Sequence, residues 1–218
     1  MRAVCSWSGG KDAAYALAEL DGVEELLTTV SSSTNRSTMH GVRRGLYERQ
    51  ADALGLPIEF VTLPREPTNE TYEAVMAEAM DGYAERGFTH VVFADLFLES
   101  VRVYREERLA ESDLDGCWPI WGRDTSAVAE TVADAYEATV VCVDGEVFDA
   151  SFAGRTFDAE FLADLPPDVD PCGENGEFHT FVTHGPTFEE PVDVQTGETV
   201  TRAAGDGEFH YCDLVAPE

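Results

Sequence analysis

Hydrophobic and polar positions change their period several times along the chain, and each change marks an element. Residues 2–7 (RAVCSW), 25–32 (ELLTTVSS) and 57–63 (PIEFVTL) are short apolar-rich runs that predict strands, as does 89–94 (THVVFA). Between them the apolar positions move to helical spacing. Residues 12–20 (DAAYALAEL) predict a helix with Asp12 in its first turn. Residues 41–54 carry Val42, Leu46, Tyr47, Ala51 and Leu54 on one face and stop at Gly55. Residues 69–86 predict a long helix opened by Thr68 or Asn69 and stopped by Gly87. Strand–helix alternation of this kind builds a parallel sheet covered by helices, so the fold class is read as α/β. Ligands of such sheets bind beyond the C-terminal ends of the strands.

The texture then shifts. A polar helix is predicted over 99–111, C-W-P-I-W follows at 117–121, and a further helix is placed around 124–137 before an apolar strand at 138–143. Beyond about residue 165 the chain is rich in Pro, Gly and Asp. It closes with strand-like runs at 177–182, around 191–194 and at 209–215, with a turn at Thr196-Gly197. This reading gives a larger domain over 1–116 and a smaller α+β region over 117–218.

Composition changes the picture in one respect. Forty-three acidic residues against fourteen basic ones leave a net charge of −29, with the acids spread throughout. That spread reads as salt adaptation of a whole surface, as in halophilic archaea, because high salt screens the self-repulsion. It disfavours nucleic acid as a partner. No run is apolar enough to span a membrane, and the N-terminal M-R-A-V-C-S-W reads as a strand and not as a signal peptide, so the expected address is the cytoplasm. Five widely spaced cysteines with no C-x-x-C suggest reduced, buried thiols, Cys172 among them. Trp118 and Trp121 are taken as packing between the two regions.

Thirteen of the fourteen basic residues are arginines; Lys11 is the only lysine. It stands in S-G-G-K-D at 8–12, after a predicted strand and at the start of a predicted helix. Ser8, Gly9 and Gly10 can turn backbone N–H groups toward an anion, and the helix N-terminus adds its dipole. Lysine is a compact charge that a tight phosphate loop admits where a guanidinium would not fit. Asp12 suits either a Mg²⁺ ligand or a helix-start acid. The spacing is not that of a Walker A loop.

S-G-G-K-D resembles the loop of the PP-loop ATPase superfamily, with Ala13 where a hydroxyl residue is usual. The resemblance implies a Rossmann-like fold that grips the pyrophosphate end of ATP and cleaves it to AMP and pyrophosphate. M-H-G-V-R (39–43), A-D-L-F-L-E-S-V-R-V-Y-R-E (94–106), W-P-I-W-G-R (118–123) and D-P-C-G-E-N-G-E-F-H-T-F-V (170–182) are similar to the diphthine–ammonia ligase family. Membership implies adenylation of a carboxylate and transfer of ammonia, which forms the amide of diphthamide on translation elongation factor two. Here Asn175 stands in an E-N-G-E version of the family's E-G-G-E motif.

On this reading ATP and Mg²⁺ are the cofactors. Ser6, Ser8, Gly9, Gly10, Lys11, Asp12, His40 and Arg43 form the nucleotide set, with Asp12 on the metal. His40 suits either an adenine or ribose contact or packing at a helix start, and Arg43 either phosphate or surface acids. Asp95, at the end of the fourth strand, suits Mg²⁺, orientation of the nucleophile, or a cap. Glu99, Arg102 and Arg105 share one helix face, as either a substrate clamp or a surface ion-pair ladder. Glu174 and Glu177, around Asn175-Gly176 and beside His179, suit recognition of ammonium or removal of its proton. The catalytic set is Lys11, Asp12, Asp95, Glu174 and Glu177. The expected partners are ATP and ammonium, with elongation factor two as the candidate protein substrate and self-association left open. The alternatives are an ATP- or AMP-binding regulatory protein without turnover and a PP-loop enzyme that modifies tRNA.

Overall fold

The computed structural model describes residues 1–38, 40–65, 67–204 and 207–217. Met39 of the 39–43 motif lies outside them. A parallel sheet is built from β1 (Ala3–Ser6), β2 (Val23–Ser31), β3 (Ile58–Leu63), β4 (His90–Val92) and β5 (Asp115–Cys117), in the order β3-β2-β1-β4-β5. It is Rossmann-like: β1 lies at the centre, and the order reverses on its two sides, which is where a crevice opens beyond the strand ends. The helices that return the chain are α1 (Lys11–Ala18), α2 (Arg44–Leu54), α3 (Asn69–Glu85) and α4 (Glu99–Leu109).

The period-2 pattern divides the core as a pleated sheet must. In β1, Ala3 and Cys5 enter one apolar cluster and Val4 the other; Leu26 and Leu27 of β2 separate in the same way. One cluster lies under α3 with Met80, Tyr83 and Phe88. The other continues from α1 and α2 into the second half of the chain, through Tyr47, Phe161, Phe178 and Phe181.

That half contains α5 (Thr125–Ala135), β6 (Glu137–Asp144), α6 (Ala159–Ala163), β7 (Phe178–His184), β8 (Gln195–Ala204) and β9 (Gly207–Val215). Its strands form an antiparallel sheet in the order β7-β6-β9-β8. The parallel sheet runs across residue 116, since β5 pairs with β4 from Asp115 to Cys117.

Stop and start signals act where the sequence places them. The Thr68 hydroxyl accepts from Thr71 N–H at 3.1 Å, and Gly55 and Gly87 adopt φ of +64° and +81° behind their helices. Three readings need correction. The short strand β5 lies in the stretch read as a change of texture; its three residues are too few for a periodic signal. Residues 191–194 are not a strand. The expected turn at Thr196-Gly197 is instead part of β8, where the register shifts between Thr196 and Thr199. A glycine inside a strand marks an irregularity as readily as a turn. Among the described residues no helix is long and apolar enough to cross a membrane.

Candidate functional site

The Ser8–Asp12 loop leaves the C-terminal end of β1, and neighbours on three sides hold it. Tyr47 OH donates to the Ser8 carbonyl at 3.1 Å. The Gly9 carbonyl accepts from Gln50 Nε2 at 3.0 Å and from Val182 N–H at 2.9 Å. Gln50 also donates to the Val182 carbonyl at 2.6 Å and accepts from Trp7 Nε1 at 2.9 Å. Gly9 has φ +73°, and a Cβ there would stand 2.7 Å from both Gln50 and Tyr47, so only glycine fits. Lys11 N–H donates to Thr180 Oγ1 at 3.0 Å. Strand β7 is thus bound along the loop and draws the second half of the chain onto the crevice.

Lys11 does not project into open space. Its side chain is 2% exposed. Nζ donates to both Asp12 oxygens, at 3.0 and 2.8 Å, and to the Cys172 carbonyl, and it lies 5.3 Å from the Phe178 ring centre. Burial is the largest influence and pushes the ammonium down, but the Asp12 charge and hydrogen bond, with Cys172 and Glu174, together outweigh it and hold Lys11 above its ordinary value. The Phe157 ring centre is 5.6 Å away, and a broad guanidinium would crowd these two rings and the Cys172 carbonyl.

Around this pair lies a cavity of about 230 Å³. Ser6, Ser8, Gly10, Lys11, Asp12, His40, Asp95, Arg105, Glu174 and His179 all line it. Residues from β1 and the loop after it, from the stretch that follows β4, from α4 and from the 173–180 segment therefore meet in one space.

Glu174 and Glu177 part company here. Glu174 faces the cavity, and its Oε1 accepts from Leu96 N–H at 2.7 Å and more weakly from Phe97 N–H at 3.4 Å. Burial raises its carboxyl to about 7, the charges of Asp12 and Asp95 add to that, and the two N–H groups oppose it. Glu177 turns into its own loop and accepts from Asp170 N–H, Asn175 N–H and Asn175 Nδ2 at 3.2, 2.9 and 2.9 Å. It organises the loop that presents Glu174. Asn175 serves that loop, and Gly176 takes φ +92° in it. Cys172 is part of the same support: its thiol donates to the Thr125 carbonyl at 3.3 Å, and burial pushes it up to about 12.

His40 and His179 stack with ring centres 4.4 Å apart and an 18° tilt. Burial, then the Lys11 charge, lowers His179 to about 4. Burial, then His179 and Lys11, holds His40 well below its ordinary value. Both rings are neutral at neutral pH, and His40 Nδ1 is buried without a hydrogen-bond partner among the described residues.

Asp95 accepts from Arg105 Nη2 at 3.1 Å and from Trp118 Nε1 at 3.0 Å. Of the expected face of α4, only Arg105 reaches the cavity. Arg102 pairs with Glu106 at 2.8 Å and covers the Trp118 and Trp121 rings, and Glu99 is exposed. Trp118 itself stacks on Phe93. Arg43 also lies elsewhere. Its guanidinium grips Asp213 of β9, 2.5 Å from Oδ2.

The sequence reading missed Gln50, Tyr47 and Thr180. A signal for Gln50 existed: it falls four residues after Leu46 and three after Tyr47, a polar side chain on an apolar face that must find partners. Among the described residues no group of three or more His, Cys, Asp or Glu side chains could hold a metal. A phosphate-bound Mg²⁺ needs only one or two carboxylates, and Asp12, with a quarter of its side chain exposed to the cavity, fits that need.

Two family models match the chain, the diphthamide synthase N-terminal domain over residues 1–107 and the diphthamide synthase C-terminal domain over residues 124–215. No curated protein matches it. Among solved structures, a protein described as a predicted subunit of tRNA methyltransferase, from Methanocaldococcus jannaschii, is similar at 14% identity and a TM-score of 0.44. The match covers 84% of this chain and 96% of that one. A likeness at that level carries no argument about activity.

Proposed function

The chain belongs to the diphthamide synthase family, a diphthine–ammonia ligase-like group of PP-loop proteins, and from that premise we propose that it is an ATP-dependent, AMP-forming carbon–nitrogen ligase. A carboxylate oxygen of the acceptor attacks the α-phosphorus of ATP and pyrophosphate leaves. Ammonia then attacks the acyl carbon, AMP leaves, and the attacking nitrogen gives up one proton as the amide forms. The acceptor is the carboxylate of diphthine on translation elongation factor two or a related acid.

The observation that carries this reading is the meeting of Glu174 with the Ser8–Asp12 loop in one cavity. Its carboxyl, raised to about 7 by burial, is half ionised near neutrality and matched to proton removal from the attacking nitrogen. The loop and the start of α1 supply donors for phosphate oxygens. Lys11, held charged by Asp12, adds positive field behind them, and Arg105, fixed by Asp95, faces the same space. Mg²⁺ held at Asp12 would neutralise charge on the leaving pyrophosphate. Neutral His40 and His179 wall the cavity without bringing further charge.

A second reading, nucleotide binding without turnover, has one observation in its favour. Ala13 is 1% exposed and leaves no hydroxyl at a position where this loop usually has one. Product analysis separates the two. Protein in high KCl is incubated with Mg-ATP, ammonium and elongation factor two bearing diphthine. AMP and pyrophosphate released only with acceptor, and lost in Glu174→Gln, are expected. ATP bound and never cleaved would move the assignment to the second reading.

A further inference from the structure

The cavity of Lys11 and Glu174 has an apolar neighbour. A space of about 520 Å³ lies between α3 and α4, over the face of the parallel sheet that carries Leu27, Val91 and Phe93. Met76, Met80 and Val101 extend its apolar wall, with Tyr72 and Tyr104 beside them. Ser6, Phe93 and Arg105 line this space and the Lys11 cavity alike, so the two adjoin along that wall. The phosphate loop and Glu174 account for none of it.

Arg105 is the charged group at the junction. Its Nη2 donates to Asp95 Oδ1 at 3.1 Å, while Nη1 makes no hydrogen bond with a described residue, and 29% of the side chain is exposed. The guanidinium lies 4.3 Å from the Phe93 ring centre, against the apolar wall. A carboxylate that accepts from Nη1 would sit at the junction, with its apolar body between the helices. The outer side carries the opposite charge. Glu70, Asp81 and Glu111 are exposed there and pair with no described residue, and Glu73 is taken by Arg108 at 3.3 Å and by Tyr104 OH at 3.4 Å. Such a rim opposes the entry of a polyphosphate. A nucleoside finds polar atoms instead in a space of about 200 Å³ on the β2 side of the loop, lined by Thr29, Ser37, Thr38 and His40.

We propose that the space between α3 and α4 binds the apolar body of the acid that is activated, with its carboxylate held at Arg105 beside the phosphate loop. The inference rests on the ligase reading for the role of the acid. It adds where the acid binds and what its body is: an apolar stem of several carbons, which the volume accommodates. An acid free in solution and one carried on a protein side chain offer the same chemistry at this wall, and the arms of the test separate them.

Methionine-methyl NMR on the full chain tests this, because the chain has only four methionines. Met80 borders the space between the helices, Met76 borders both it and the nucleoside space, and exposed Met1 serves as the reference. Butanoate and hexanoate are titrated at constant high KCl without ATP. A saturable shift of the Met80 methyl is expected, with affinity rising about fourfold per added methylene. Hexanol, which lacks the carboxylate, should bind about tenfold more weakly or worse. Ala77→Phe fills the space from an exposed position of α3 and should lower hexanoate affinity by about tenfold or more at unchanged melting temperature. Broadening of Met80 by elongation factor two, seen only when the factor bears diphthine, assigns the stem to a side chain. Shifts with hexanoate alone assign it to a free acid. A Met80 methyl that responds to neither would overturn the site, as would hexanol binding as tightly as hexanoate or AMP alone moving Met80 as far. A silent Met80 in protein that still forms AMP and pyrophosphate with acceptor sinks this site and leaves the ligase reading standing. A bound acid with no AMP formed in the presence of ATP does the reverse.

Discussion

The two glycine-containing loops around the cavity are built in opposite ways. The Ser8–Asp12 loop is held from outside: Tyr47, Gln50, Thr180 and Val182 bind its backbone, and each comes from a distant part of the chain. The 170–177 loop is held mainly from within, because Glu177 and Asp170 accept N–H groups of their own segment. A loop that binds its own backbone can present one side chain without help, and that side chain is Glu174. A loop clamped by neighbours can keep its amides aligned when an anion arrives or leaves. The comparison also separates two carboxylates that look equivalent in sequence. One titrates in the cavity, and the other is consumed as a strut.

Four experiments would break or sharpen that contrast. Glu174→Gln keeps the shape and removes the base, so AMP formation should fall about 10²- to 10⁴-fold while the melting temperature holds. An unchanged rate would remove Glu174 from the chemistry. Lys11→Met leaves Asp12 without its buried partner and should cost about 3–5 kcal/mol in urea unfolding. A loss below about 1 kcal/mol would mean that solvent replaces the pair. Glu177→Ala strands three donors of its loop and should cost about 1–3 kcal/mol, with a smaller loss of rate than Glu174→Gln. The reverse order would exchange the two roles.

The smallest effect is on pH dependence. Glu174 has a folded value near 7, above its ordinary one, so its protonated form is favoured by folding. Its contribution to stability is present below the ordinary carboxylate range and is lost as pH rises through about 7. Asp213 runs the other way. Burial opposes ionisation there, but Arg36 and Arg43 lower it to about 2, so its contribution holds above the ordinary range and fades as pH falls toward 2. Denaturation curves from pH 5 to 8 should therefore show a decline that Glu174→Gln abolishes. The ascending limb of the rate profile near pH 7 should vanish in the same variant.

The alternation of strands and helices was legible because each βαβ unit buries a local, periodic apolar face. The helix ends at Gly55, Gly87 and Thr68 were legible because capping is chemistry within a few residues. β8 was not, because its pairing with β9 across a register shift depends on a partner strand, and its own residues show little apolar alternation. In the site, the sequence singled out Lys11, Asp12, Asp95, Glu174 and His179, and the structure gathers these around one cavity. It could not show that Arg43 closes on Asp213 and Arg102 on the tryptophan rings.

The sequence by itself determined the parallel core, the position of the glycine loop at a strand end, and the singular lysine. Those follow from local periodicity, turn chemistry and composition. Only the tertiary structure decided which of two carboxylates faces the loop and which atoms the lysine touches. Such choices depend on direction and burial, and both are set by contacts between distant parts of the chain, such as Glu174 with Leu96, 78 positions apart, and Lys11 with Cys172, 161 apart.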